Sequence, residues 1–532
     1  MRQNETMDTN LFYLPLFIFI QVVNVFTLPA ANMPRFFEDK YWYMQQRKAA
    51  MDLDKKEIIG NSIVLNSIEE KVNQILLAAK QDEIDNSYKN GKPFPPAMHF
   101  FEGKQLIEKS KVFQMIKIMP KGAALHLHDC SMVDINWLVY NVSTMDNTYM
   151  CTDKNNVMHY HFFTTPPSDP NCVWKSINAE RKASKNVTLF NQKLYDSMSL
   201  VVDKPHIVYP SINEVWVKFL QVLDVANGFI NYAPIFSAYF YEALREFRED
   251  NVQYLEVRGL LPEVYEIDGT THNKTWVMET YKKVLQQFVK DFPDFSGGKI
   301  IFSGLRFWGN DQILDEIKMS IEFRQKFPEY FAGYDLVGQE DPGKPLLDYL
   351  DDLLYPSNLQ SPVDLPYFFH AGETDWEGTF TDVNLFDAVL LNTTRIGHGY
   401  AISKHPQIMK MIKSRNIAVE VNPISNQVLK LVDDIRNHPA SILLSQNFPI
   451  VISADDPAVW GAKGLSYDFY MTFMGMTGKH ADLKVLKQLA LNSLLYSAMS
   501  SEEKFRAIDL WKQKWDRFLM SILSNEEINM IG

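Results

Sequence analysis

From residue 252 onward the chain alternates short apolar runs with amphipathic ones, regularly enough to predict the architecture. The apolar runs are 252–259 (VQYLEVRG), 299–307, 331–338 (FAGYDLVG), 365–373, 395–400 (RIGHGY), 417–423 (IAVEVNP) and 449–457. Each has the length of a strand and is rich in β-branched and aromatic residues. Between the later ones, apolar positions recur at helical spacing over 385–391, 405–413 and 428–444. Residues 124–129 (ALHLHD) form an earlier run and bring the strand candidates to eight. Eight alternating strand and helix units predict an α/β fold, a (β/α)8 TIM barrel whose functional residues sit at the carboxyl ends of its strands.

The barrel is predicted to span about 116–520, preceded by a helical extension over 31–115. In the extension, residues 34–87 read as one helix, Asn90-Gly91-Lys92-Pro93 breaks the pattern, and 102–118 form a second helix. So much apolar surface ahead of a barrel must pack somewhere, either over the barrel or at a partner interface; the sequence does not choose between them, and a homodimer is the expectation on the second. From 132 to about 210 the periodicity lapses, which predicts an insert after the first strand, carried outside the main fold. At the other end, the apolar run 11–20 (LFYLPLFIFI) and the small residues Pro29-Ala30-Ala31 read as a signal peptide over 1–30, although Glu5 and Asp8 weaken its basic n-region. Pro15 and Gln21 interrupt the run, so a membrane anchor fits less well and the mature protein is expected to be secreted, with no membrane span.

Composition changes little in this picture. A hydrophobic share of 46% is that of an ordinary globular chain of 532 residues, and a formal charge of -12 without a clustered basic face argues against nucleic acid as a partner. The three cysteines suggest one disulfide, Cys151 to Cys172, enclosing a polar, proline-containing segment, with Cys130 left free. Glycosylation sequons at Asn141, Asn186, Asn273 and Asn392 agree with secretion.

Candidate chemistry follows from the strand ends. His126, His128 and Asp129 end the first strand, Gly338 and Glu340 the fourth, and His370 and Glu373 the fifth. His398 ends the sixth, and Asp455 and Asp456 the eighth. Alternate strand residues face the same side, so His126 and His128 can converge on one ion. A histidine in a turn is often merely hydrogen-bonded, but recurrence at five strand ends favours a site. His126, His128, His370 and Asp455 offer the nitrogen and oxygen donors of a catalytic Zn2+ with one position left for water. His398 is placed to take or hold the water's proton, and Glu373 to donate a proton to substrate. His159 and His161 repeat the His-x-His spacing inside the polar insert and read as structural. There is no H-E-x-x-H and no G-x-S-x-G, and Pro345 spoils the phosphate-loop likeness of residues 338–344.

In this order, HLHD, DLVGQED, FFHAGETDW, TTRIGHGY, VNPISNQVLKLV and ISADDP resemble the adenosine deaminase branch of the metal-dependent hydrolases. With the leader, the helical extension, the cysteine-bounded insert and GAKGLSYDFY, the chain is similar to the secreted adenosine deaminase-related growth factors over about residues 34–515. The resemblance implies hydrolysis of adenosine and 2′-deoxyadenosine to the inosine products and ammonia. It implies that Glu373 protonates purine N1, His398 serves as base and electrostatic partner of the attacking oxygen, and Asp456 and Gly338 hold the N7 and N3 edges. Asp129, Trp216 and His272 become ribose or pocket contacts. The extension becomes a homodimer interface, and the insert a module for a cell-surface receptor or glycan. Two alternatives remain at this level. The barrel could be the scaffold of a growth factor, or the substrate could be AMP, for whose phosphate only Arg258 and Lys121 offer positive charge near the strand ends.

Overall fold

The computed structural model describes residues 39–531, so the leader lies outside the described residues. Eight parallel strands are present: β1 Gly122–His128, β2 Val252–Gly259, β3 Gly297–Leu305, β4 Phe331–Val337, β5 His370–Ala371, β6 Arg395–His398, β7 Ala418–Val421 and β8 Ile450–Ile452. They form two four-stranded sheets in sequential order, β1 to β4 and β5 to β8. Single bridges join the sheets, Tyr334 to Tyr367 on one side and Leu127 to Asp455 on the other. The second seam is doubly bonded, with the His128 N–H donating to Asp455 O (3.1 Å) and the Asp455 N–H to His126 O (3.0 Å). Closing the barrel is thus the same event that brings Asp455 against the two histidines of β1.

The fifth strand is shorter than its apolar run. Pro366 has no N–H to give, and only His370 and Ala371 enter a regular ladder, paired with Gly397 and His398. The preceding residues still run beside β4, with the Tyr334 N–H donating to Pro366 O at 3.0 Å. That approach needs Gly333, where a Cβ would stand 2.1 Å from the Pro366 carbonyl oxygen.

Three expected helices are divided. The single helix over 34–87 is Lys40–Glu57 and Ser67–Asn90; Asn66 starts the second by accepting from the Ile68 and Glu69 N–H groups, while Glu69 accepts from the Asn66 N–H. The helix over 102–118 is Phe100–Ile107 and Lys111–Ile118, the second capped by Ser110. Residues 428–444 hold only two short pieces, Ile435–Asn437 and Ala440–Ser445, after a first turn Pro423–Val428.

The extension's boundary also moves. The chain divides into two compact units, the first ending at Lys56 and the second running from Glu57. Helices up to Ile118 therefore belong to the body of the barrel. Their polar side chains explain why: Glu69 accepts from Trp515 Nε1 (2.8 Å) and Lys487, and the buried Lys80 ammonium donates to Phe473 O (2.8 Å) and Thr477 Oγ1 (2.9 Å). The described part of the first unit is helix Lys40–Glu57 up to Lys56, with no buried residue.

The insert, between β1 and β2 in the chain, has a sheet of its own. It forms a three-stranded antiparallel sheet from Thr148–Thr152, Met158–Phe162 and Lys175–Ser176, stapled by Cys151–Cys172. Tyr160 stacks on Phe229 at 4.3 Å and Phe162 on Tyr232 at 4.2 Å, against helix Ile212–Ile230 and its end. Aromatic area of this size is sufficient to hold a small sheet in place. His159 pairs with Asp153 and His161 stacks on Phe163 and Tyr265, so both are structural as expected.

Candidate active site

At the carboxyl ends of the strands, His126, His370, His398 and Asp455 converge, all buried, and Asp455 is shared with a second group made of His128 and Asp456. His128 Nε2 and His126 Nε2 lie 3.0 and 3.2 Å from Asp455 Oδ1. That oxygen has no hydrogen-bond partner.

The ring nitrogens decide what this cluster is for. His126 Nδ1 lies 2.8 Å from the Glu420 carboxylate and His370 Nδ1 2.7 Å from the Asp335 carboxylate, so both rings donate from Nδ1. Their Nε2 atoms are then bare lone pairs, yet they face each other at 3.0 Å. Two lone pairs at that distance repel unless a cation lies between or beside them. Buried imidazoles oriented by carboxylates, a carboxylate oxygen without a donor and a converging second histidine fit a divalent metal of zinc's preferences.

The orienting carboxylates belong to a buried ionic layer beneath the cluster. Arg258 on β2 donates from Nε to Asp335 (2.7 Å) and from Nη2 to Glu420 (2.7 Å). Arg395 on β6 donates to Glu420 and to Glu256. Burial alone would raise the Asp335 and Glu420 carboxyls. For Asp335, His370 and Arg258 overcome it; for Glu420, Arg258 and Arg395 do so with His126, and both stay ionised. Burial lowers His370 to about 3, which keeps its ring neutral as a ligand must be.

Glu373 stands in a different environment. Burial, then Asp455 and Glu340, hold its carboxyl well above the usual range, which favours the protonated acid. Glu340 shapes its turn by accepting from the Glu373 N–H (2.7 Å), the Gly372 N–H (3.1 Å) and Asn384 Nδ2 (2.8 Å). Gly372 has φ 73°, and a Cβ there would meet Leu385 at 2.8 Å. Gly372 is therefore required by the turn, which brings Glu373 Oε1 to 3.4 Å from His398 Nδ1. Asp456 is pushed up to about 8 by burial and the neighbouring Asp455, and it accepts from Ser131 Oγ. His398 and Asp455 both take left-handed backbone, φ 57° and 59°, which costs about 1–3 kcal/mol each at a non-glycine residue and is typical of sites where aim outweighs comfort.

A family model described as adenosine deaminase matches residues 199–514, more than half of the chain. The chain belongs to the adenosine deaminase family. A second model, adenosine/AMP deaminase N-terminal, matches residues 22–116. Among relatives, the human protein called adenosine deaminase 2 is 46% identical over 88% of this chain and 92% of its own length. The zebrafish adenosine deaminase 2-A is 44% identical over 90% of this chain and 94% of its own. In structure, an Arabidopsis N6-mAMP deaminase superposes with a TM-score of 0.54 at 17% identity, over 75% of this chain and 99% of that one, which shows the shared barrel.

The remaining expected residues fall less evenly. Asp129 accepts from Tyr281 OH (2.8 Å), and burial raises its carboxyl to about 6. Gly338 directly follows β4 with φ 100° and only Phe307 near its Cβ position. Trp216 is buried on helix Ile212–Ile230, edge-on to Phe219 at 5.2 Å. His272 is bonded to Glu266 (2.8 Å) within its hairpin and stacked on Trp276 of the following helix at 4.1 Å. The cations considered for a phosphate are both occupied. Arg258 is enclosed in its ion pairs, and Lys121 donates to Met119 O (3.1 Å) and Asp250 O (2.5 Å) at the opposite end of β1. Sequence reasoning missed Asp335, Glu420, Asn426 and His438. The first two carried a signal, an acidic residue inside an apolar strand run.

Proposed function

We propose that this chain is a secreted, zinc-dependent deaminase that hydrolyses adenosine and 2′-deoxyadenosine to the inosine products and ammonia. The observation that carries the reading is a buried Glu373, its carboxyl raised by burial and Asp455, close in the chain to His370, whose Nε2 faces that of His126 at 3.0 Å, an acid and a metal seat within one turn of chain. His126, His128, His370 and Asp455 would hold the Zn2+, which supplies an activated water near neutrality. The rest is work for side chains. Glu373 donates its proton to N1 as the water's oxygen adds to C6, and the proton that the water gives up returns to the Glu373 carboxylate; the amine then leaves as ammonia with the remaining proton from that oxygen. Asp456, protonated at neutral pH, donates to N7, Gly338 leaves open backbone toward N3, and Asp129 faces the ribose. Adenosine is favoured over AMP because Arg258 and Lys121 are already paired.

Secretion is supported by the apolar leader, the disulfide and the exposure of Asn141, Asn186, Asn273 and Asn392. No helix among the described residues is long and apolar enough to cross a membrane. Helix Lys40–Glu57 carries exposed Tyr41, Met44, Met51 and Leu53, which supports its use as a homodimer surface. In the insert, exposed Val173 and Val187 offer a face for a receptor or glycan. The test is loss of absorbance at matched concentrations of adenosine and AMP, before and after chelation. Adenosine turnover that vanishes with the metal and returns with zinc is expected; faster turnover of AMP, or full activity without metal, overturns the reading.

A further inference from the structure

His398 touches a chain of buried groups whose donor and acceptor roles are forced, beginning at the main chain. The Ala440 N–H donates to His438 Nδ1 at 3.0 Å, so that nitrogen carries no proton and the neutral ring bears its hydrogen on Nε2. His438 Nε2 lies 2.9 Å from Asn426 Oδ1, which must be the accepting oxygen, because the amide nitrogen in that place would set donor against donor. The amide is thereby oriented. Its Nδ2 faces His398 Nδ1 at 3.0 Å and donates to it.

We propose that Asn426, oriented by His438, is a positioning residue that fixes the tautomer of His398, so that the ring presents Nε2–H, not a bare nitrogen, toward Asp455 and the attacking water. Nε2 is 3.7 Å from Asp455 Oδ2, the side of the ring that faces the cluster. A ring held this way gripsthe water's oxygen by donating to it and cannot take a proton at Nε2. Of the two roles considered for His398, taking or holding, the relay selects holding. The left-handed backbone at His398 and the turn Pro423–Val428 that carries Asn426 bring the two side chains together. Ala440 opens the short helix Ala440–Ser445, so its N–H is one that the helix does not use.

This inference rests on the deaminase reading for its consequence in turnover, but the tautomer can be measured independently. The probe is the zinc-loaded full chain with 15N-labelled histidine, the His398 signals being assigned by their loss in His398→Gln. The expected wild-type spectrum has Nε2 protonated and Nδ1 bare. Asn426→Asp keeps the shape but turns the donor into an acceptor, which His438 can still bond. It should move the His398 proton to Nδ1 and lower kcat by up to about 10⁴-fold, as a wrong tautomer does elsewhere, with KM and zinc content held within threefold. A wild-type ring protonated on Nδ1, or an Asn426→Asp enzyme with unchanged kcat, overturns the relay; so does a variant that loses zinc in step with activity. If the wild type shows the assigned tautomer yet does not deaminate adenosine, the functional reading falls and the relay stands.

Discussion

Glu420 is the residue whose replacement tests the site most directly, since one carboxylate serves His126, Arg258 and Arg395 together. Glu420→Gln keeps volume and one acceptor but removes the charge. Arg258 retains Asp335 and Arg395 retains Glu256, so each guanidinium stays half-paired. The loss should therefore lie near the lower end of the 3–5 kcal/mol typical of breaking a buried ion pair, about 3 kcal/mol. That is a large part of a stability that is usually 5–15 kcal/mol. Metal binding should suffer separately. His126 loses the partner that holds its proton on Nδ1, and an altered partner of a ligating histidine costs about 10–100-fold in affinity. The assays are urea unfolding of the metal-free protein and competition for zinc with a chelator of known affinity. If unfolding changes by less than about 1 kcal/mol and zinc affinity by less than twofold, the layer does not support the site as argued.

Other outcomes follow from the same geometry. Glu373→Gln should lower kcat by about 10²–10⁴-fold with fold and zinc content retained, and normal turnover would remove Glu373 from the acid role. Gly372→Ala forces a Cβ against Leu385 at 2.8 Å from a left-handed backbone, so both stability and kcat should fall; an unaffected variant would mean the turn tolerates a side chain. Glu316, raised to about 7 by burial despite Lys274 and Tyr334, keeps its proton in the folded state after the unfolded chain has lost it. Its contribution is full below the unfolded value near 4.5 and disappears as pH rises to about 7, so Glu316→Gln should flatten the fall in stability across that window. Cys151→Ser opens a loop of sequence separation 21 and should cost about 3 kcal/mol in unfolding, checked with and without reductant on the parent.

Periodicity alone determined the barrel, because a parallel strand buried on both faces must be apolar along its length and a covering helix must show one apolar stripe. The order of strand ends then placed His126, His128, His370, Glu373, His398, Asp455 and Asp456 on one rim. Local chemistry was less legible. Asn66 and Ser110 divide what periodicity reads as continuous helix, since a capped break need not disturb the spacing of apolar residues. Burial of the insert came from Tyr160 and Phe162 meeting Phe229 and Tyr232, pairs far apart in the chain. Only the closed barrel decided the states of the site. Asp335 lies 35 residues from His370, Glu420 lies 294 from His126, and the donor of each hydrogen bond is set by what the partner nitrogen touches. Proton positions depend on distances of about 3 Å between separate strands. A sequence names the groups, but those distances exist only once the two sheets close on each other at Leu127 and Asp455.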